Sequence, residues 1–215
     1  AWLEISLDVI AENYHMIKKE IGDKSEIMAV IKADAYGLGA LPIAHLLEEC
    51  GCPIFAVASI EEALELREGG IQKPIAILSP LPVWRTESAI QNNIEVPVVS
   101  LAQAQKLSIA AQKTGQNIKI HIKADAGLSR FGIVLKNHME EAIEVAMAIA
   151  ALPGLQLEGV MTHFTAADIP LGEQFNLSQI ALFDTFCQRL KENGLQFKTH
   201  CASTVFTALY EQSYH

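Results

Sequence analysis

The sequence predicts an α/β fold, a (β/α)8 barrel of the TIM type formed by one domain, and two observations carry that prediction. Short apolar runs alternate with amphipathic segments along nearly all of the 215 residues. The runs are almost continuous Val, Ile and Ala, the composition of parallel strands covered by helices on both faces. Regular alternation over about 200 residues is the usual extent of such a barrel, and no G-x-G-x-x-G follows an early strand, which weakens the competing open, doubly wound sheet.

Taken in order, LDVIAENYHMIKKEIG (7–22) predicts a helix ahead of the first strand, IMAVIKAD (27–34). The helical segment LPIAHLLEEC leads to the second strand, IFAVAS (54–59), and SIEEALELREGG to the third, IAILS (75–79). The fourth is EVPVVS (95–100), which SLAQAQKLSIAAQKTG separates from the fifth, IKIHIKAD (118–125). NHMEEAIEVAMAIAALPG precedes LEGVMTHF (157–164), and NLSQIALFDTFCQRLKENG precedes KTHCAST (198–204). Apolar residues three and four apart mark each helical segment. Ser59 with Glu62, and Ser100 with Gln103, have the spacing of capping boxes; Gly69, Gly115 and Gly194 stand where helices should stop. That is seven strands, whereas a closed barrel needs eight. TVFTALYEQSYH (204–215) reads as a short helix and a free end, so the chain lacks the last strand of the predicted barrel.

Composition narrows the function. Hydrophobic residues make up 50% of the chain and support a large core. No apolar run approaches the roughly 18–20 residues of a membrane span, and AWLEISLDVI lacks a basic leader, so a cytoplasmic protein without membrane partners is expected. A net charge of −9 without charge runs argues against nucleic acid and favours a small-molecule partner. Cys50, Cys52, Cys187 and Cys201 lack zinc-ligand spacing, so no metal site and reduced thiols are expected.

In a barrel the C-terminal ends of the strands converge on the active site. Lys32 and Asp34 end the first predicted strand, Ser59, Ser79 and Ser100 the next three, Lys123 and Asp125 the fifth, His163 the sixth, and Ser203 with Thr204 the seventh. Arg130 lies just beyond the fifth. Clustered cations among apolar walls depress a lysine pKa, and a partly neutral amine can form a Schiff base with an aldehyde. Plainer readings stand beside these: Lys32 as a solvated strand end, Lys123 as an ion-pair partner of Asp125, His163 as a core histidine, and Ser203 and Thr204 as a helix cap. Gly37 and Gly39 around Tyr36 form a loop in which backbone can approach a ligand.

The order and spacing of these segments resemble the alanine racemase family of pyridoxal-phosphate enzymes. WLEISLDVIAENY is similar to that family's W-x-E-I-x-L-x-x-x-x-x-N-Y, and AVIKADAYGLGA resembles its cofactor-lysine motif A-V-[VI]-K-A-[ND]-A-Y-G-x-G. HIKADAGLSRFGI is similar to H-x-K-x-D-T-G-M-x-R-x-G; Ala126 replaces the usual Thr, as Ser203 replaces the family's Asn and Leu38 a frequent His. VMTHF followed by AAD is similar to T-H-F-A-x-A-D, and HCAST falls where the family has H-x-A-N-S.

The resemblance implies a fold-type III barrel over residues 1–215 that binds pyridoxal 5'-phosphate and belongs to an enzyme converting L-alanine to D-alanine for peptidoglycan. It implies that Lys32 carries the cofactor as a Schiff base and then shuttles a proton on one face of Cα. Tyr36 is implied to contact the cofactor phosphate or brace its loop, Thr204 and Ser203 to serve the phosphate, and Arg130 to bond the phenolic oxygen. Lys123, often carbamylated in the family, is implied to orient Arg130, and His163 to lie beside the pyridine ring. The opposite-face base is implied to come from a C-terminal β domain across a homodimer interface; neither that domain nor the eighth strand is in this sequence, so these 215 residues alone are expected to be inactive. The alternatives are a serine racemase of the same family and a single-domain pyridoxal-phosphate homeostasis protein.

Overall fold

The computed structural model of the chain describes residues 2–165 and 172–214. Strands β1 (Met28–Val30), β2 (Ile54–Val57), β3 (Ile75–Ile77), β4 (Ile94–Val98), β5 (Ile118–Asp125), β7 (Leu155–Met161) and β8 (Lys198–His200) pair side by side in that order, all parallel. These are the seven predicted strands, most of them shorter than predicted. β6 (Ile133–Val134) is an unpredicted two-residue strand that, among the described residues, pairs only with β5. Among the described residues β8 and β1 are not paired with each other, so the curved sheet stays open where an eighth barrel strand would lie.

Helix α1 (Leu7–Ile21) precedes β1, as its periodicity predicts. Helices α3 (Ala40–Glu49), α4 (Ile60–Glu68), α6 (Leu101–Thr114), α7 (Met139–Ala150) and α8 (Glu173–Glu192) supply the crossovers. A 3-10 turn, Val83–Arg85, running into α5 (Thr86–Gln91), links β3 to β4 where no helix is predicted. The short α9 (Thr204–Leu209) follows β8. The start signals work largely as read: Ser59 and Glu62 form a full capping box. Ser100 accepts from Gln103 N, but the Gln103 carboxamide oxygen accepts from Val99 N, one residue earlier than a capping box requires.

The two faces of the sheet differ. On β5 the alternate residues Ile118, Ile120, Ile122 and Ala124 join the core between sheet and helices, together with Phe55, Val57, Ile75, Ile77, Ile94, Val96 and Val98. The opposite, inner face is more polar: beside Ala56, Ala76, Pro97 and Met161 it carries Glu95, His121, Lys123 and Asp125, all buried. The predicted two-sided burial therefore holds, but only the outer face is hydrocarbon-filled.

One irregularity makes room for that polar interior. The β5–β7 register slips between Ile120 and His121, so that His121 stands opposite Gly159 rather than Glu158. A Cβ on Gly159 would come within 2.2 Å of His121 Nδ1. The ring cannot move aside, because both of its nitrogens are hydrogen-bonded. Gly69 offers a contrast: an added Cβ meets Leu41 Cδ2, the end of a side chain that can rotate, and Gly69 has no left-handed φ. Gly159→Ala is therefore expected to lower stability by about 1–3 kcal/mol by overpacking, and Gly69→Ala by clearly less. Urea unfolding midpoints at unchanged m-value compare the two directly.

Candidate functional site

Lys32 stands two residues beyond β1, not on it. The last ladder bond runs from Ile31 N to Ala56 O at 2.9 Å. The chain then enters α2 (Lys32–Gly37), a turn with helical hydrogen bonds but the wrong hand for L-residues: φ is +51° at Ala33, +53° at Asp34, +51° at Ala35 and +60° at Tyr36. Left-handed backbone costs roughly 1–2 kcal/mol per residue, so the turn exists because its surroundings hold it. Ala35 N donates to Ile31 O at 3.0 Å and Gly39 N to Asp34 O at 2.9 Å. The Asp34 carboxylate accepts from Ala40 N at 2.7 Å, tying the turn to the start of α3. Gly37 and Gly39, at φ +85° and +94°, complete the loop the glycines predicted.

The rotation turns Ala35 into the core and leaves Tyr36 64% exposed. Lys32 itself is half-buried.

The second cluster forms where β5 ends. Lys123 is 2% exposed, and its ammonium donates to Ala124 O at 3.2 Å. The ion pair with Asp125 considered from sequence is not formed; Asp125 Oδ1 instead accepts from Gly127 N at 2.9 Å and Ser129 N at 3.0 Å, folding the loop that carries Arg130. Gly132 lets that loop lie against β5: a Cβ there would sit 2.9 Å from Lys123 O. Arg130 is exposed, its guanidinium 5.1 Å above the Phe131 ring. Burial pushes the Lys123 pKa down to about 8; Asp125 opposes the shift and Arg130 adds to it.

His163 lies two residues past β7 on the rim, exposed rather than in the core. Desolvation lowers its pKa, and Lys123, Arg130 and Lys32 lower it further. Three predicted site cations, after β1, on β5 and in the loop beyond β5, thus bear electrostatically on a fourth predicted residue beyond β7. Ser203 and Thr204 lie on the far edge, after β8. Ser203 Oγ accepts from Phe206 N at 3.4 Å as the cap of α9, so the plainer reading of that residue is correct. No described hydrogen bond joins Tyr36 to Ser203 or Thr204. The AAD segment, including Asp168, lies outside the described residues.

Sequence reasoning missed a buried chain beneath this rim. Glu95 Oε2 meets His121 Nε2 at 2.7 Å, and His121 Nδ1 meets His200 Nε2 at 3.0 Å. Desolvation, then His121 and Lys123, hold the His200 pKa well below the ordinary histidine value. The signal was available: in IKIHIKAD the polar residues His121, Lys123 and Asp125 recur every second position, which places them on one face of a strand.

Residues 5–215 match the family described as "Alanine racemase, N-terminal domain". An alanine racemase of Clostridium perfringens is 42% identical over 202 residues, covering 94% of this chain and 51% of that protein. The solved alanine racemase of Clostridium difficile 630 superposes with a TM-score of 0.93 at 32% identity, covering 100% of this chain and 55% of that one. A histidine racemase from Leuconostoc mesenteroides subsp. sake is similar at 26% identity and a TM-score of 0.84, covering 98% and 55% respectively. The chain spans about half the length of the curated relatives it matches. With a parallel sheet whose rim gathers Lys32, Lys123, Arg130 and His163, and with this match along nearly its whole length, the chain belongs to the alanine racemase family.

Proposed function

We propose that residues 1–215 form the pyridoxal-phosphate-binding barrel of a cytoplasmic amino-acid racemase, interconverting L- and D-alanine to supply D-alanine for peptidoglycan. The observation that carries this reading is the cationic rim. Lys32, Lys123 and Arg130 each bear electrostatically on His163 in a chain whose net charge is −9, and all of these, with the hydroxyls of Tyr36, Ser203 and Thr204, stand toward the C-terminal end of the parallel strands. A primary amine, an excess of positive charge and several O–H donors suit an aldehyde that bears a phosphate and a phenolic oxygen.

In this reading Lys32 anchors the cofactor and later carries a proton to and from substrate Cα on one face. Tyr36, Ser203 and Thr204 donate to the phosphate, Arg130 donates to the phenolic oxygen, and His163 borders the ring. With its pKa lowered, His163 is neutral at pH 7 and adds no further cation. When bound, the cofactor supplies the electron sink that makes the Cα hydrogen acidic enough to leave. Racemisation needs a base on each face. Lys32 is one; the other is assigned to a C-terminal β domain across a homodimer interface, and closure of the sheet to an eighth strand, both in a longer polypeptide, in keeping with relatives about twice this length.

Lys123 has its own part. A lysine amine must be neutral to attack carbon dioxide, and burial favours the neutral form. Its nitrogen bonds the carbon and loses a proton, leaving a carbamate whose negative charge can receive the guanidinium of Arg130.

Three results test these assignments. Added pyridoxal phosphate should give the protein a visible absorbance band, and borohydride should then fix the cofactor on the Lys32 peptide, as read by mass spectrometry. Lys32→Ala should abolish both, and capture at another lysine would overturn the assignment. The 215-residue chain alone should not racemise alanine; measured turnover would refute the two-base argument.

For Lys123 the sign follows from its folded pKa of about 8, below the unfolded 10.5. Below pH 8 both states are protonated and the burial penalty is complete. Between these pKa values the unfolded state binds more protons, so stability rises with pH. In carbon-dioxide-free buffer Lys123→Met should be more stable than the parent below pH 8, by up to about 3 kcal/mol. That advantage should shrink above pH 8, and bicarbonate should stabilise only the parent.

A further inference from the structure

Glu62 completes the capping box with Ser59, and its carboxylate does more than a cap requires. In a parallel ladder the residue that donates to one neighbour carbonyl also accepts from the amide two residues further along that neighbour. Ile31 N donates to Ala56 O, so the next rungs should run from Ala58 N to Ile31 O and from Ala33 N to Ala58 O. Neither is formed. The left-handed turn takes Ile31 O for Ala35 N and carries Ala33 away from the strand. Two amide donors, at Ala33 and Ala58, are left beside each other at the end of the ladder.

One carboxylate takes both. Glu62 Oε1 accepts from Ala33 N at 2.8 Å, and Glu62 Oε2 accepts from Ala58 N at 2.6 Å and from Ser59 N at 3.4 Å. The Glu62 backbone N–H in turn donates to Ser59 Oγ at 3.3 Å, which fixes the glutamate at the first turn of α4. The first residue of the left-handed turn, directly after Lys32, is thereby bound to the end of β2.

We propose that Glu62 is a positioning residue for Lys32: its two carboxylate oxygens replace the missing rungs between β1 and β2 and hold the left-handed turn that presents the lysine amine at the rim. The effect on the amine rests on the cofactor reading of Lys32. The clamp itself does not.

The test turns on a chemical difference. A capping box accepts Gln as readily as Glu at this position, so a helix-capping role alone makes Glu62→Gln nearly silent. The clamp needs two acceptor oxygens, and a carboxamide has one; its NH2 would face an amide donor. Ser59→Ala removes the hydroxyl cap while leaving both oxygens of Glu62 in place. In Glu62→Gln the exchange of the Ala33 or Ala58 amide should accelerate at least tenfold, and covalent capture of pyridoxal phosphate on Lys32 should slow at least tenfold. The unfolding midpoint should stay at or above that of Ser59→Ala, whose capture rate should match the parent's. If Glu62→Gln matches the parent at both amides and at Lys32, the proposal is wrong. If it does not fold, the parent alone decides: an Ala33 amide exchanging as fast as an unstructured one overturns the clamp, and one protected at least a hundredfold supports it. Ala33 protection that is lost in the variant, with no capture on Lys32 in either protein, would sustain the clamp and remove the cofactor reading.

Discussion

The rim depends on four consecutive L-residues, Ala33 to Tyr36, held in left-handed backbone directly after Lys32. An ordinary right-handed turn or a continued strand would send the lysine and Tyr36 elsewhere, so the position of the amine is inseparable from a conformation the residues do not favour by themselves. None of the four is glycine. The free energy comes from outside the turn: the Asp34 carboxylate bound to the start of α3, two flanking glycines at positive φ, the seating of Ala35 in the core, and the carboxylate of Glu62.

The interior of the sheet extends the same logic. Parallel strands covered by helices obtain most of their stability from the outer face, where Ile, Val and Phe pack against helices. That leaves the inner face available for polar groups, provided each finds a partner. Glu95, His121 and His200 satisfy one another in a line, Gly159 and a register slip make room for the middle ring, and Lys123 lies above them in a site that disfavours its charge. The stable hydrocarbon layer and the strained polar layer are two faces of the same strands.

Much of this was legible in the sequence. Short Val–Ile–Ala runs located the seven strands of the sheet because such runs have few other uses, and the box at Ser59 and Glu62 located the start of α4. Other features depend on contacts between distant segments. VWRTESAIQ is too short and polar for its periodicity to signal a helix, and a two-residue strand such as β6 leaves no pattern. The hand of the turn was not readable, because Ala-Asp-Ala-Tyr has no residue that demands positive φ; only Gly37 and Gly39 hinted at unusual backbone. Strand ends were placed too late at Lys32 and His163, since the polar residue that ends a run can lie in the loop beyond it. Glu62 was visible as a cap, but its second oxygen reaches Ala33, in the turn after β1, only once the sheet has formed.

The most direct test of the account is a crystal structure of the protein grown with pyridoxal phosphate. Density should run continuously from Lys32 Nζ to the cofactor, with Ala33 to Tyr36 at positive φ and the Glu62 carboxylate bridging the amides of Ala33 and Ala58. A right-handed or extended chain after Lys32, or cofactor density joined to any other side chain, would contradict it.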